Sequence, residues 1–258
     1  MTDTQRTYRR PPFGLAMGSL LRADWIVILR SGVSTVVSLL LPVVLVVATS
    51  FNTKAQSRLG GADELIGVAL TIGLLVSSLL GYSLAVAHDR ESGVLQRLRV
   101  TPVATWMIMT SRLCVQELLN LVIAVIVIVA AVIAYGLNLN VAQIVLVLLV
   151  ALLGGGVFLS IAQALVAVVK TVSAVNALNR IVLIVLVLLG LLGSSGILGD
   201  TIQVIAQWSP VGVVITLFSD ALAQNGWASQ DTYSLPMAFA YVVVFTFIGI
   251  RWFRWESH

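Results

Sequence analysis

Six stretches of this chain, at approximately 31–51, 65–87, 113–135, 141–169, 181–198 and 235–253, are apolar enough to cross a bilayer as helices. A span takes about 20 mostly apolar residues, fewer or more with tilt. Only 10% of the residues are charged and 59% are hydrophobic, whereas ordinary soluble domains carry about 25% charged residues. A soluble fold is therefore excluded. The last two stretches are the weakest: Gly190, Gly193, Ser194, Ser195 and Gly196 loosen the end of one, and Arg251 sits in the other. The first is not a cleaved signal peptide, because its apolar run starts well inside the chain, behind Arg22, Asp24 and Arg30.

Charge orients these spans. With the amino terminus inside, thirteen Lys and Arg residues fall on inner segments and only Lys54 and Arg58 on outer ones. That asymmetry is the positive-inside pattern. The tryptophans agree with it: Trp25, Trp106, Trp252 and Trp255 fall near the inner boundary, Trp208 and Trp227 near the outer. The expectation is a multi-pass protein of the plasma (inner) membrane, with both termini cytoplasmic and residues 52–63, 136–140 and 196–234 outside.

One strongly charged interruption separates two spans. His88 to Pro102 carries Asp89, Arg90, Glu91, Arg97 and Arg99, which cannot sit in hydrocarbon and so mark a water-facing surface. The segment reads as a short helix with acids in its first turn and arginines near its end, as a helix dipole favours. At helical spacing Val94, Leu95 and Leu98 share one face, joined only by Glu91. Such an amphipathic rod suits docking on another protein or on the bilayer surface. The alternative is a solvated loop, which the fit of charges and stripe disfavours.

Residues 13–30 mix Leu, Ile and Trp with charges and read as a helix lying along the inner interface. Residues 1–12, with Pro11-Pro12 and three arginines, read as a disordered basic lead able to touch anionic lipid. Between the last two spans, Ile197 to Trp208 and Pro210 to Ala223 read as two short helices at, or dipping into, the outer leaflet. Proline is acceptable at the start of the second. The expected organisation is thus the lead at 1–12 and one transmembrane domain at 13–258. In fold class it is an all-α integral membrane protein: six transmembrane helices, an N-terminal interfacial helix, a charged cytoplasmic helix and short external helices before the last span.

Enzymatic motifs are missing from the sequence. Lys170-Thr171 follows Val168-Val169 and not the glycine-rich turn of a phosphate loop. His88 and His258 are the only histidines, Cys114 the only cysteine, and no Gly-x-Ser-x-Gly string occurs. Polar residues within spans are the remaining candidates: Gln116, Glu117 and Asn120 in the third, Gln143 and Gln163 in the fourth. Glu117 either faces a translocation path or pairs with Arg112; the competing and favoured reading is that both snorkel at the interface. Gly154-Gly155-Gly156 reads as close helix contact in preference to a hinge, and Pro42 as a kink.

The string Arg90 to Pro102 fits an acid, then Gly-x-Leu-x-x-Leu, then Thr-Pro before the third span, and Trp208-Ser209-Pro210 and Pro42 supply further matches. On these the chain resembles the type-2 permease subunits of ATP-binding-cassette exporters, in particular the drug-resistance-transporter-like members. Ser209 stands where Asn is commoner. The resemblance implies a coupling helix that seats Asp89, Arg90, Glu91, Gly93, Val94, Leu95, Arg97 and Leu98 on a separate cytoplasmic ATPase. That partner would bind ATP and Mg; this chain would hold no cofactor and bind no nucleic acid. It implies a second permease subunit, a pathway between the two with the first, second and fifth spans facing across, and an external gate at Gly193, Gly196 and Pro210. Glu117, Asn120 and Gln163 are candidates for a pathway or polar network. Hydrophobic or amphipathic, drug- or lipid-like cargo is expected. The alternatives are a glycoconjugate or polysaccharide exporter permease, an ATPase-independent secondary transporter, or a membrane anchor. A secondary transporter calls for inverted repeats and mid-membrane ionisable residues, which the sequence does not display.

Overall fold

The computed structural model describes residues 13–30, 33–51, 56, 61–94, 97, 105–194, 200–223 and 231–252. Nine helices account for most of them: α1 (Phe13–Arg30), α2 (Val33–Ser50), α3 (Ala62–Glu91), α4 (Thr105–Tyr135), α5 (Val141–Val168), α6 (Val172–Ser194), α7 (Asp200–Trp208), α8 (Pro210–Leu222) and α9 (Asp231–Trp252). No strand occurs among the described residues. The fold is all-α and of the integral membrane kind. Five helices, α3 to α6 and α9, are long and apolar enough to cross a membrane, while the apolar part of α2, Thr35–Ser50, is shorter. The expected lead at 1–12 lies outside the described residues.

Local chemistry sets the ends. Asn140 and Gln143 form a reciprocal capping box at the start of α5, with Gln143 N–H donating to Asn140 Oδ1 at 2.8 Å and Asn140 N–H to Gln143 Oε1 at 2.9 Å. Asp63 and Glu64 stand in the first turn of α3, on the favourable side of its dipole. Several helices outrun their apolar runs: α4 begins at Thr105 where a span was expected from 113, and α6 at Val172 where one was expected from 181. Hydropathy marks the hydrocarbon-embedded part, whereas backbone hydrogen bonding carries the helix on through polar residues such as Arg112 and Arg180.

Helix α3 is the axis of the bundle. It packs against α2, α4, α5, α6 and α8, and 89% of its apolar window is buried, against 17% for α6 and 11% for α9. This corrects the expectation that the second span faces another subunit across a cavity, since α3 is enclosed by its own chain. Helices α2 and α6 do keep exposed apolar faces, at Val36, Leu40 and Val44, and at Ile181, Ile184 and Leu188. Pro42 is more than a kink. It is buried, and a Cβ on Gly73 would come within 3.1 Å of its Cγ, so the proline ring fills space that only a glycine on α3 leaves.

The second of the two short helices is not a surface element. Helix α8 is buried along Val211, Val214, Leu217, Phe218 and Leu222, with Val214 against Gly154 and Val211 against Gly190. Helices α7 and α8 meet at 78°. The carbonyl of Leu222 accepts from Gln143 Nε2 at 2.8 Å, which places the end of α8 beside the start of α5. Helix α9 runs parallel to α5, with Val242 beside Gly156 and Gly249 beside Gln163, so it starts at that same end. The pair α7–α8 therefore enters and leaves on one side as a re-entrant element, with α8 buried in protein while α7 keeps Val204, Ile205 and Trp208 exposed. The described Lys and Arg residues, among them Arg22, Arg90, Arg112, Lys170 and Arg251, collect toward the opposite end, called here the basic end.

Candidate functional site

The segment expected as one helix over 88–101 is divided. Asp89, Arg90 and Glu91 form the last turn of α3, which stops at Ser92-Gly93. Gly93 has φ 74, the left-handed conformation that ends helices and suits glycine. A new turn then starts, with Arg97 N–H bonded to Gly93 O at 3.1 Å. The acids thus close one helix instead of opening another. Glu91 and Arg97 are exposed, Val94 is half-buried, and Leu95 and Leu98 lie outside the described residues.

Arg90 is turned inward. Only 3% exposed, its guanidinium donates to the carbonyls of Val166 at 2.8 Å, Val169 at 2.6 Å and Lys170 at 2.9 Å. These are the orphan carbonyls at the end of α5, and a cation is the group that a helix C-terminus favours. The expected contact of Arg90 with an ATPase is thereby corrected: both Nη groups are used within the chain, and Nε is buried without a hydrogen-bond partner among the described residues. Asp89 is bound inward too, since its Oδ2 lies 2.6 Å from Arg112 Nη1.

Arg112 ties three helices together. Besides Asp89 at the end of α3, it faces Asp24 of α1, with Nε 3.9 Å from Oδ1. Ser111 Oγ donates to the other Asp24 oxygen. Burial pushes the Asp24 carboxyl above its ordinary value; the Ser111 hydrogen bond and the Arg112 charge pull it down, and Asp89 adds to the rise. The result is a charge lock across α1, α3 and α4, directly before the Gly93 turn.

The pairing of Arg112 with Glu117 is not made, because Arg112 faces Asp89 and Asp24 instead. Glu117 lies across the glycine run of α5, where a Cβ on Gly155 would fall on its carboxylate. Its Oε2 accepts from Asn120 Nδ2 at 3.3 Å, while Oε1 has no hydrogen-bond partner among the described residues. Gln163 stands on the same side of α5, about 12 Å nearer the basic end than Gly155 at 1.5 Å per residue. It accepts from the Tyr82 hydroxyl at 2.5 Å and, with Glu117, lines a cavity of about 690 Å³ between α4, α5 and α9. Asn120 is buried behind them.

Two features were not legible in advance. Ser77 to Ser83, in mid-α3, is π-helical, and such turns leave backbone groups to be satisfied from outside the helix. Gln116 Nε2 donates to Ser77 Oγ at 2.7 Å, and Asn179 Nδ2 donates to Leu79 O at 2.7 Å and Ser83 Oγ at 2.6 Å. The serine-rich run Ser77-Ser78 and Ser83 was the available signal. Asn179 carried none, since its partners lie about a hundred residues upstream.

Of the expected gate residues, Gly193 lies in the last turn of α6, Gly196 is outside the described residues, and Pro210 is the first residue of α8. Ser209 caps that helix, accepting from Gly212 N–H at 3.1 Å and donating to Ala206 O at 2.6 Å. The hydroxyl thus does the capping that an Asn there would do.

A central helix enclosed by its neighbours, a charge lock at the basic end and a re-entrant pair at the other describe a membrane-embedded transport subunit. The chain belongs to the ABC-2 type transporter family, whose pattern matches residues 16–223. It is a transmembrane permease subunit, and membership implies an ATP-binding-cassette ATPase partner. A comparison with curated proteins finds no match.

Proposed function

We propose that this chain is the permease subunit of an ATP-driven exporter, moving hydrophobic or amphipathic, drug- or lipid-like cargo out across the plasma membrane. A separate cytoplasmic ATPase binds ATP and Mg and supplies the energy, and a second permease subunit completes the pathway. The observation that carries this reading is the Asp24–Arg112–Asp89 lock. It joins the interfacial helix, the end of the central helix and α4 at the root of the charged segment 92–101. Force applied to that segment by a partner reaches α3, which touches five other helices. In this mechanism Glu91, Val94, Leu95, Arg97 and Leu98 carry the ATPase contact, while Asp89 and Arg90 anchor the segment's root. Exposed apolar faces on α2 and α6 supply surface for the second permease, and the re-entrant α7–α8 pair with Gly193, Gly196 and Pro210 forms the external gate.

Co-purification with the ATPase and cargo-stimulated hydrolysis test this. Glu91→Ala or Leu98→Asp is expected to lose at least tenfold in partner affinity with membrane insertion intact. Arg112→Ala is expected to keep the partner but uncouple hydrolysis from export. Full binding and full coupling in all three would refute the assignment.

A further inference from the structure

The cavity between α4, α5 and α9 has an unusual combination of linings. Trp106, Met109, Cys114 and Ile250 give it apolar walls, and Glu117 and Gln163 lie at its floor. It adjoins a second groove of about 520 Å³ on Leu121, Val125, Val145 and Leu149; Leu152 lines both. Together they make one track along the α4–α5 seam, polar at one end and wholly apolar at the other.

Charge decides what fits the polar end. Glu117 is an acid inside a span, and an ion in such a place is costly unless it is paired. Arg112, the closest cation along the helix, is engaged by Asp89 and Asp24. Among the described residues Glu117 forms no ion pair, and one carboxylate oxygen has no hydrogen bond. The geometry nevertheless holds the group in place, with Gly155 as its seat and Asn120 as its single donor. Where the carboxyl has not taken up a proton, an ammonium removes the cost of the lone charge, a neutral head does not, and an anion adds to it.

Register adds a direction. Glu117 stands about 18 Å along α4 from its start at the basic end, at 1.5 Å per residue. The apolar track continues from there toward the other end. A single-tailed molecule seated with its head on Glu117 therefore lies head-to-basic-end, tail toward the bilayer centre, as an amphiphile from that leaflet does.

We propose that this track is a binding site for cationic amphiphiles, with the ammonium on Glu117 and the hydrocarbon tail along the α4–α5 seam. The proposal rests on the exporter reading for its meaning as a cargo site, but its binding test needs only the permease. Cys114, the chain's sole cysteine, is exposed and lines the cavity, so it reports occupancy without any introduced label site.

The experiment follows maleimide labelling of Cys114 in the purified chain in neutral-lipid nanodiscs. Competitors are decyltrimethylammonium, a neutral decyl glycoside and decyl sulfate, each below its micellar concentration. The ammonium is expected to slow labelling at least fivefold where the other two slow it less than twofold. Glu117→Gln should abolish that difference, Glu117→Asp should keep part of it, and Gly155→Ala should lose it by displacing a carboxylate that is still present. Equal protection by all three heads, or undiminished ammonium protection in Glu117→Gln, overturns the site. So does a Cys114 that reacts only after subunits are separated, because the seam is then a permease–permease interface. In the complete complex, ammonium binding without ATP-dependent export of any cargo would refute the exporter function and leave the site. Export of amphiphiles without Glu117-dependent protection would do the reverse.

Discussion

Arg90 offers the sharpest test of how the basic end is built. Its side chain is 3% exposed and makes three hydrogen bonds, one from Nη1 and two shared by Nη2, to the last carbonyls of α5. A hydrogen bond to a charged group contributes about 1.5–3 kcal/mol. Counting the shared pair as little more than one bond, and allowing water to reach the freed carbonyls near the helix end, Arg90→Ala should cost about 3–4 kcal/mol. For a chain of this size each kcal/mol moves the unfolding midpoint by about 2–4 °C. The expected fall in detergent, followed by tryptophan fluorescence, is therefore roughly 6–16 °C. Arg90→Lys should recover only about half of it, because an ammonium is a point donor and cannot span three carbonyls. A fall below about 2 °C for Arg90→Ala, or wild-type stability in Arg90→Lys, would refute the capping role and return Arg90 to the surface as a partner contact.

Three further outcomes follow from the same geometry. Gly212→Ala would drive a Cβ into the Ala206 carbonyl, a backbone atom that cannot rotate away, so a loss of about 3 kcal/mol or more is expected; Gly18→Ala, mid-helix with open space around it, should hold or slightly raise the midpoint in the same melt. Asp24 has a folded-state pKa above its ordinary 3.8, so its contribution to stability is fully present below that value and is lost as pH rises through the raised one; Asp24→Asn should therefore gain on the wild type as pH rises through this window, and a flat or falling difference would contradict the burial argument. In a Cys114→Ser background, a membrane-impermeant thiol reagent added to intact cells should label Asn138→Cys and spare Ser173→Cys; the reverse would invert the topology.

What the sequence determined by itself is the class of molecule and the axial placement of its parts. Apolar run length and the clustering of Lys and Arg are local properties, and the bilayer imposes them one segment at a time. Hence the all-α membrane fold, the positions of the long helices and the proline start of α8 were readable before any packing was known, whereas the break at Gly93 was not. The tertiary structure decided everything that depends on who faces whom. Whether α8 crosses, lies flat or dips and returns turns on Gln143 reaching Leu222, 79 residues away. Arg90 reads as a surface charge until the end of α5, 76 residues downstream, presents its carbonyls. Glu117 and Arg112 stand near enough along one helix to suggest a pair, yet each answers to other helices: Arg112 to acids on α1 and α3, Glu117 to the bare backbone of Gly155 on α5. The enclosed axis α3 and the exposed α6 are alike in composition, since all spans must be apolar whether they meet lipid or protein. Hydrophobicity therefore cannot tell the inside of this bundle from its outside. The small residues and buried amides that do so have meaning only once their partners are in place.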